Sequence, residues 1–243
     1  MKRFVILAVI TAVLGLSLMA TIFFGARFGL WEPIKGFQLY RSYFNPIGFV
    51  ILGAGVIAML VHLVRAERKQ AGLGGLICLI GLATLTPWAM GLANPPVRAA
   101  PIHDISTDMV NVPQFEVIDE TRVGASNTLV YGGADVAATQ AKSYPDIAPL
   151  LTDLSPVAAF ERALDVAADM GWNIVASDDV RLRFEAVART PVFYFADDVV
   201  VVVTPEGETS RVDMRGVSRI GRSDQGVNAA RIRSFQSAFA DKG

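Results

Sequence analysis

The sequence predicts an α+β protein in which three N-terminal transmembrane helices precede a soluble domain with an antiparallel sheet and flanking helices. Three observations carry that prediction. Uncharged apolar runs fill 4–24, 47–64 and 73–93, each long enough to cross a hydrocarbon core of about 30 Å at about 1.5 Å per residue. No such run follows Ala93. From Ser155 onward the pattern reads helix, several short strands, helix, the order expected of an antiparallel sheet with helices on one face.

The chain therefore divides into a membrane part, 1–93, and a remainder of ordinary single-domain size. That remainder comprises a proline-rich wrapping segment, 94–154, and an α+β core, 155–243. Charge divides the same way. Up to Ala93 there are eight Lys/Arg and two Asp/Glu, a net +6; from Asn94 on there are 14 and 21, a net −7. An acidic domain argues against nucleic acid as a partner. The single cysteine, Cys78, lies in the third run, so the domain holds neither a disulfide scaffold nor a cysteine nucleophile.

The first run follows Lys2 and Arg3 but is too long for a signal-peptide core, and no A-x-A-like site ends it. It reads as an uncleaved span. The connection 25–46 carries Phe28, Trp31, Phe37, Tyr40, Tyr43 and Phe44. Such rings favour the headgroup region, either as an amphipathic piece on the membrane surface or as a cap over helix ends. Lys2, Arg3, Arg65, Arg68 and Lys69 fall on one side; Arg27, Lys35, Arg41 and Arg98 fall on the other. The excess, and the dense charge of 65–72, put the N-terminus in the cytoplasm and the domain outside it. His62, near a span end, reads as interfacial rather than as a proton relay. Pro87 reads as a kink or an end of the third span.

Six prolines between 94 and 154 break regular structure. A free loop of that length is unusual in a compact domain. Short strands or turns that dock along the domain are expected, above all at 102–115 and 144–150. Ser155 is an N-cap, Pro156 a first helical position and Gly171 a helix stop; the buried face of that helix is read as Val157, Phe160, Leu164 and Ala168. Residues 172–176 form a strand, and 192–195 continue the sheet. In 180–188, Leu182, Phe184 and Ala186 alternate with Arg181, Arg183 and Glu185. Five consecutive valines, 199–203, mark a central strand, and 205–208 a hairpin turn. In 209–217, Val212 and Met214 oppose Arg211, Asp213 and Arg215. The charged side of these strands is read as cross-strand pairing on a solvated face. A last helix covers about 227–240.

The most polar, shape-demanding stretch is 218–232, SRIGRSDQGVNAARI. Gly221 and Gly226 allow positive φ. Asp224 is placed to cap the last helix. Asp224, Asn228 and Arg231 are spaced by four and three and share one helix face, beside a core stripe of Ile232, Phe235 and Phe239. Arg219, Arg222 and Ser223 approach from the loop. A helix start with nearby arginines is a generic anion site. The other reading is a hydrogen-bonded network that pins the helix to the sheet, with the arginines paired to Asp224 or Asp213.

Other chemistry finds little footing. His103 is the one histidine after the spans. A Ser-His-Asp set would need it with Ser223 and Asp104, without a G-x-S-x-G elbow. His103, Asp104 and Asp108 are a weak candidate metal set, with no Cys partner and no helical spacing; Asp104 or Ser106 capping a turn is the simpler reading. Asp197-Asp198 and Asp178-Asp179 are poor acid/base dyads because adjacent strand residues point to opposite faces; they read as turn residues. No P-loop or Rossmann fingerprint points to a cofactor.

Three pieces taken together resemble a known family: IHDISTD at 102–108, FADDVV at 195–200 and the stretch 218–232, with YPDIAPL at 144–150 as a fourth. In this order and spacing they resemble the bacterial family called domain of unknown function 1499, over roughly 95–239. The resemblance implies no activity and supplies no catalytic residue. Arg219, Gly221, Ser223, Asp224, Gly226, Asn228 and Arg231 stand at its signature positions. The expectation is a multi-pass protein of the bacterial inner membrane, with the lipid bilayer as partner and an extracytoplasmic module that binds an anionic ligand or cell-envelope component. An enzyme built on the Arg/Ser/Asp loop and a scaffold docking another membrane protein are the alternatives.

Overall fold

The computed structural model describes residues 2–95 and 99–242. Arg98, counted in the charge balance, and Pro96, counted among the linker prolines, lie outside the described residues. The chain forms two compact units. One is Met1–Val97 with Pro191–Tyr194; the other is Arg98–Thr190 with Phe195–Gly243.

The first unit contains α1 (Arg3–Phe24), α2 (Pro33–Val64) and α3 (Arg68–Ala93). All three are long and apolar enough to cross a membrane, and the chain is a membrane protein on that ground. Helix α2 starts well before its apolar run. Pro33 sits in its first turn, where the missing N–H costs nothing, and the helix continues through Pro46. The aromatic connection is therefore largely helical rather than a separate surface piece or cap. Phe23, Tyr40, Phe44 and Phe193 of this unit pack ring to ring at 5.1–5.7 Å. Helix α3 likewise runs on past Pro87.

Small residues set the helix spacing, as expected where lipid removes any hydrophobic drive for association. A Cβ at Gly55 would lie 2.6 Å from the Cys78 nitrogen, and one at Gly81 2.6 Å from Leu52 Cα. Arg65 lies over the Phe4 ring at 5.9 Å, which puts the start of α1 beside the end of α2. His62, at the end of α2, is fully buried and pairs through Nδ1 with Glu67, the residue before α3.

The second unit is α+β. Its strands are β1 (Asp104–Ser106), β2 (Leu150–Thr152), β3 (Asn173–Asp178), β4 (Arg183–Arg189), β5 (Ala196–Glu206) and β6 (Thr209–Ser218). The antiparallel sheet has the order β1-β6-β5-β4-β3. The short β1 and β2 lie along successive stretches of β6, at 215–217 and 210–212. Strand β5, with its valines, is central. Its hairpin to β6 turns at Gly207, φ 67°.

Helices α5 (Pro156–Asp169) and α6 (Val227–Asp241) cover one face. The core there joins Phe160, Phe184, Val199, Val201, Met214, Ile232, Phe235 and Phe239. Ser155 caps α5 by accepting from the Ala158 N–H, and Gly171 follows its end at φ 72°. Its buried face differs from the expected one. Ala159, Phe160, Ala163, Val166 and Ala167 face inward, while Val157 is exposed. The alanines let the helix sit close to the sheet, and a count of large apolar residues misses them. A further helix, α4 (Gly133–Ser143), lies in the wrapping segment where strands or turns were expected. Residues 192–195 turn instead of continuing the sheet: Phe193 and Tyr194 have φ 61° and 62°, which a strand cannot contain.

The largest departure concerns the other face. The charged side of the sheet is largely buried rather than solvated, although Arg181 stays exposed and Arg183 and Arg211 are half-buried. Arg215 is 0% exposed, Glu185 2% and Asp213 7%, and Ile118 and Leu129 from the wrapping segment pack with Val187 and Val217 of the sheet.

Candidate functional site

The stretch 218–232 joins the end of β6 to α6. Its bends need glycine: Gly221 has φ 94°, and Gly226, the residue that caps α6, has φ 83°. Asp224 stands two residues before the cap position assigned to it from sequence logic, yet its carboxylate fills the helix start. It accepts from the N–H groups of Gly226 at 2.9 Å and Asn228 at 2.7 Å. Burial pushes its carboxyl above the usual carboxylate range, against the pull of those two donors.

Asn228 is fully buried and donates to Ser218 Oγ at 3.0 Å and to the His103 carbonyl at 3.2 Å. Its Oδ1 accepts from Arg231. A Cβ on Gly216 would lie 2.7 Å from that oxygen, so a glycine in β6 is what lets α6 approach this closely. Arg231, 8% exposed, donates to Asp197 at 2.5 Å.

Asp197 and Asp198 are strand residues, not turn residues, and alternation sends them to opposite faces. Asp197 meets Arg231 under the helix. Asp198, fully buried, accepts from Arg219 at 2.7 and 3.0 Å and from Arg122 at 2.7 Å. Arg219 and Arg231 thus find their carboxylates at the start of β5 rather than at Asp224 or Asp213.

Ser223 donates from Oγ to the Ala100 carbonyl at 2.7 Å and accepts from the Gln225 N–H at 3.2 Å. Asn127 donates to the carbonyls of Ser218 and Gly221 at 2.8 and 2.9 Å, tying the wrapping segment to the loop. Arg222 differs from its neighbours. It is exposed and makes no ion pair or hydrogen bond among the described residues. Of the six candidate residues, five are drawn into one hydrogen-bonded body and Arg222 projects from it.

The weak metal set is dispersed. Asp104 holds Arg215 through both oxygens, at 2.9 and 2.7 Å. Asp108 accepts from Val110 N–H, Asn111 N–H and Arg211, which hold its carboxyl below the usual range despite partial burial. Among the described residues no three His, Cys, Asp or Glu side chains gather.

A family model matches residues 104–239, more than half of the chain and all six candidate residues. The chain belongs to the family described as Protein of unknown function (DUF1499). No curated protein matches it.

The DUF1499 domain carries a second network on the sheet face beneath the wrapping segment. Arg215, besides its pair with Asp104, donates to the carbonyls of Pro113 at 3.1 Å and Leu129 at 2.7 Å. Phe115 and Tyr131 flank its guanidinium at 5.4 and 5.5 Å. Glu185 accepts from three successive backbone N–H groups, Glu116 at 2.6 Å, Val117 at 3.1 Å and Ile118 at 2.7 Å, a carboxylate seated in a backbone nest. Gln140 of α4 brackets Ser106, accepting from its N–H at 3.0 Å and donating to its carbonyl at 2.6 Å. Sequence reasoning named none of Asp197, Asp198 or Gln140 as a partner, and it read Glu185 only as part of cross-strand pairing on a solvated face. A signal was present: Asp197-Asp198 open a run of five valines, and a charge inside a central strand needs a buried partner.

Proposed function

We propose that this DUF1499 protein is a multi-pass protein of the bacterial inner membrane whose domain lies outside the cytoplasm and binds an anionic ligand or cell-envelope component. The observation that carries the reading is Arg222. The loop around it is fixed by Ser223, Asp224 and Asn127, so its guanidinium is presented from a rigid base at little ordering cost. Arg219 and Arg231 are neutralised by Asp198 and Asp197. Arg222 keeps its charge for an outside partner. The helix start itself is filled by Asp224, so an anion is recognised by the side chain of Arg222 and not by the N–H groups of α6.

The test is equilibrium binding of glycerol phosphate, as a headgroup and polymer fragment, to the full chain in zwitterionic nanodiscs. Arg222→Ala should weaken binding several-fold, the loss should shrink at high salt, and stability should change by no more than about 0.5 kcal/mol. Equal binding by the wild type and Arg222→Ala removes the loop as the site. The outside placement rests on the five-to-four charge bias and has its own test. An alkaline phosphatase fusion after Ala100 should be active; an inactive fusion there, with a fluorescent cytoplasmic reporter, reverses the topology.

A further inference from the structure

The wrapping segment does not reach the end of the sheet face it covers. It stops with a rim at Asp108, Asn111 and Pro113, and beyond that rim lies a cleft of about 290 Å³ floored by Val202, Thr204 and Arg211 with Glu206 beside them. That volume lies just below the usual range of ligand pockets, roughly 300–1,000 Å³, and admits one small molecule. Thr204 and Arg211 are directly opposed in the β5–β6 register. Glu206 lies two residues further along the same face, about 6.8 Å from Thr204 along the strand.

The polar groups of this cleft are unequally engaged. Arg211 is clamped by Asp108 and Asp213: Nη2 donates to both, at 2.5 and 3.2 Å, and Nε lies 2.8 Å from Asp213. Its Nη1, the Thr204 hydroxyl and the Glu206 carboxylate make no hydrogen bond among the described residues. The cleft thus offers a fixed guanidinium donor and a hydroxyl at one end and an open carboxylate at the other. Three carboxylates against one guanidinium leave its lining with net negative charge.

We propose that this cleft binds a small amino alcohol or amino sugar. The ammonium group pairs with Glu206, where the local field is negative. A neighbouring hydroxyl oxygen accepts from Arg211 Nη1 and exchanges a hydrogen bond with Thr204. The carbon frame rests on Val202 and Pro113. An anion is disfavoured because Asp108 and Asp213 flank the one cation. This site is separate from Arg222 and does not depend on the reading proposed for that residue.

The test titrates glucosamine into the full chain in phosphatidylcholine nanodiscs, with N-acetylglucosamine and glucose as uncharged controls. Glucosamine should bind saturably at one site and both controls about tenfold or more weaker, the size expected when one charge-assisted hydrogen bond is lost. Glu206→Gln, on an exposed hairpin position, should reduce glucosamine affinity about tenfold without altering thermal unfolding. Thr204→Val should give a smaller loss. No saturable glucosamine binding, equal binding of N-acetylglucosamine, or unchanged affinity in Glu206→Gln would each overturn the proposal.

Discussion

Arg215→Met tests whether the buried ion pairs hold the DUF1499 domain together. Arg215 is the largest fully buried side chain. Methionine keeps much of its length but loses both bonds to Asp104 and both bonds to the carbonyls of Pro113 and Leu129. Asp104, 5% exposed, is then left without a counter-ion. Stranding one member of a buried pair costs about 3–5 kcal/mol. Adding Asp104→Asn removes the stranded charge, so the double variant should be more stable than Arg215→Met alone, although the two carbonyls remain unpaired at about 1–3 kcal/mol each. The readout is amide exchange in β5, the central strand, whose opening reports global unfolding. With the full chain in nanodiscs, Arg215→Met should speed that exchange about a hundredfold to a few thousandfold, at a factor of ten per 1.4 kcal/mol. An acceleration below about fivefold refutes the reasoning. So does a double variant less stable than the single one, since additivity must fail in this direction if the charge is the problem.

Two further outcomes follow from other parts of the chain. Gly81→Ala forces a Cβ against the Leu52 backbone and should loosen α2 against α3 at a cost of about 1–3 kcal/mol, whereas Gly53→Ala, which meets nothing within 4 Å, should be neutral; steric trapping of the two helices reads the difference. Glu120 accepts from the Leu129 N–H, the Thr128 hydroxyl and Arg122, which together hold its carboxyl down to about 2. Because the folded value is depressed, its stabilisation is present above the ordinary carboxylate range and disappears as pH falls from there through about 2; carboxyl NMR showing an ordinary titration midpoint would contradict the contact.

The spans, the antiparallel sheet and the last helix were legible because each has a periodic or compositional signature. Apolar runs have length, β4 and β6 alternate, and five valines can only be interior. Partners were not legible. Arg231 and Asp197 stand 34 positions apart, Arg215 and Asp104 111, and nothing local couples them. The wrapping segment produced the largest misreading for the same reason. Alternation in β4 and β6 identified one charged face correctly, but whether water or chain covers a face depends on a segment without periodicity. Had the nest at 116–118 been visible, Glu185 would have read as buried. Helix α4 was missed because its prolines lie outside it, at Pro113 and Pro145, while the interior AATQAKS is ordinary helix-forming sequence. The candidate residues at 218–232 were identified as a group because their spacing is local. Their division into five internal members and one exposed one required tertiary partners.

That division has a consequence for how the two proposed sites should behave together. The domain carries seven more acidic than basic residues from Asn94 onward, and the buried arginines are matched one for one or better by carboxylates. Its outward field is therefore negative. An ammonium ligand approaching Glu206 is drawn by the local group and by the field of the whole domain, and salt screens both attractions. An anion approaching Arg222 is drawn by one guanidinium and repelled by the rest, and salt screens these opposing contributions together. Glucosamine affinity should fall steadily as ionic strength rises, while glycerol phosphate affinity should vary little. Adding Arg222→Ala leaves only the repulsion, so the residual affinity of that variant for the anion should rise with salt. A parallel decline of both ligands with salt would mean that local charge alone governs binding, and that the acidity of the domain has no part in choosing its ligands.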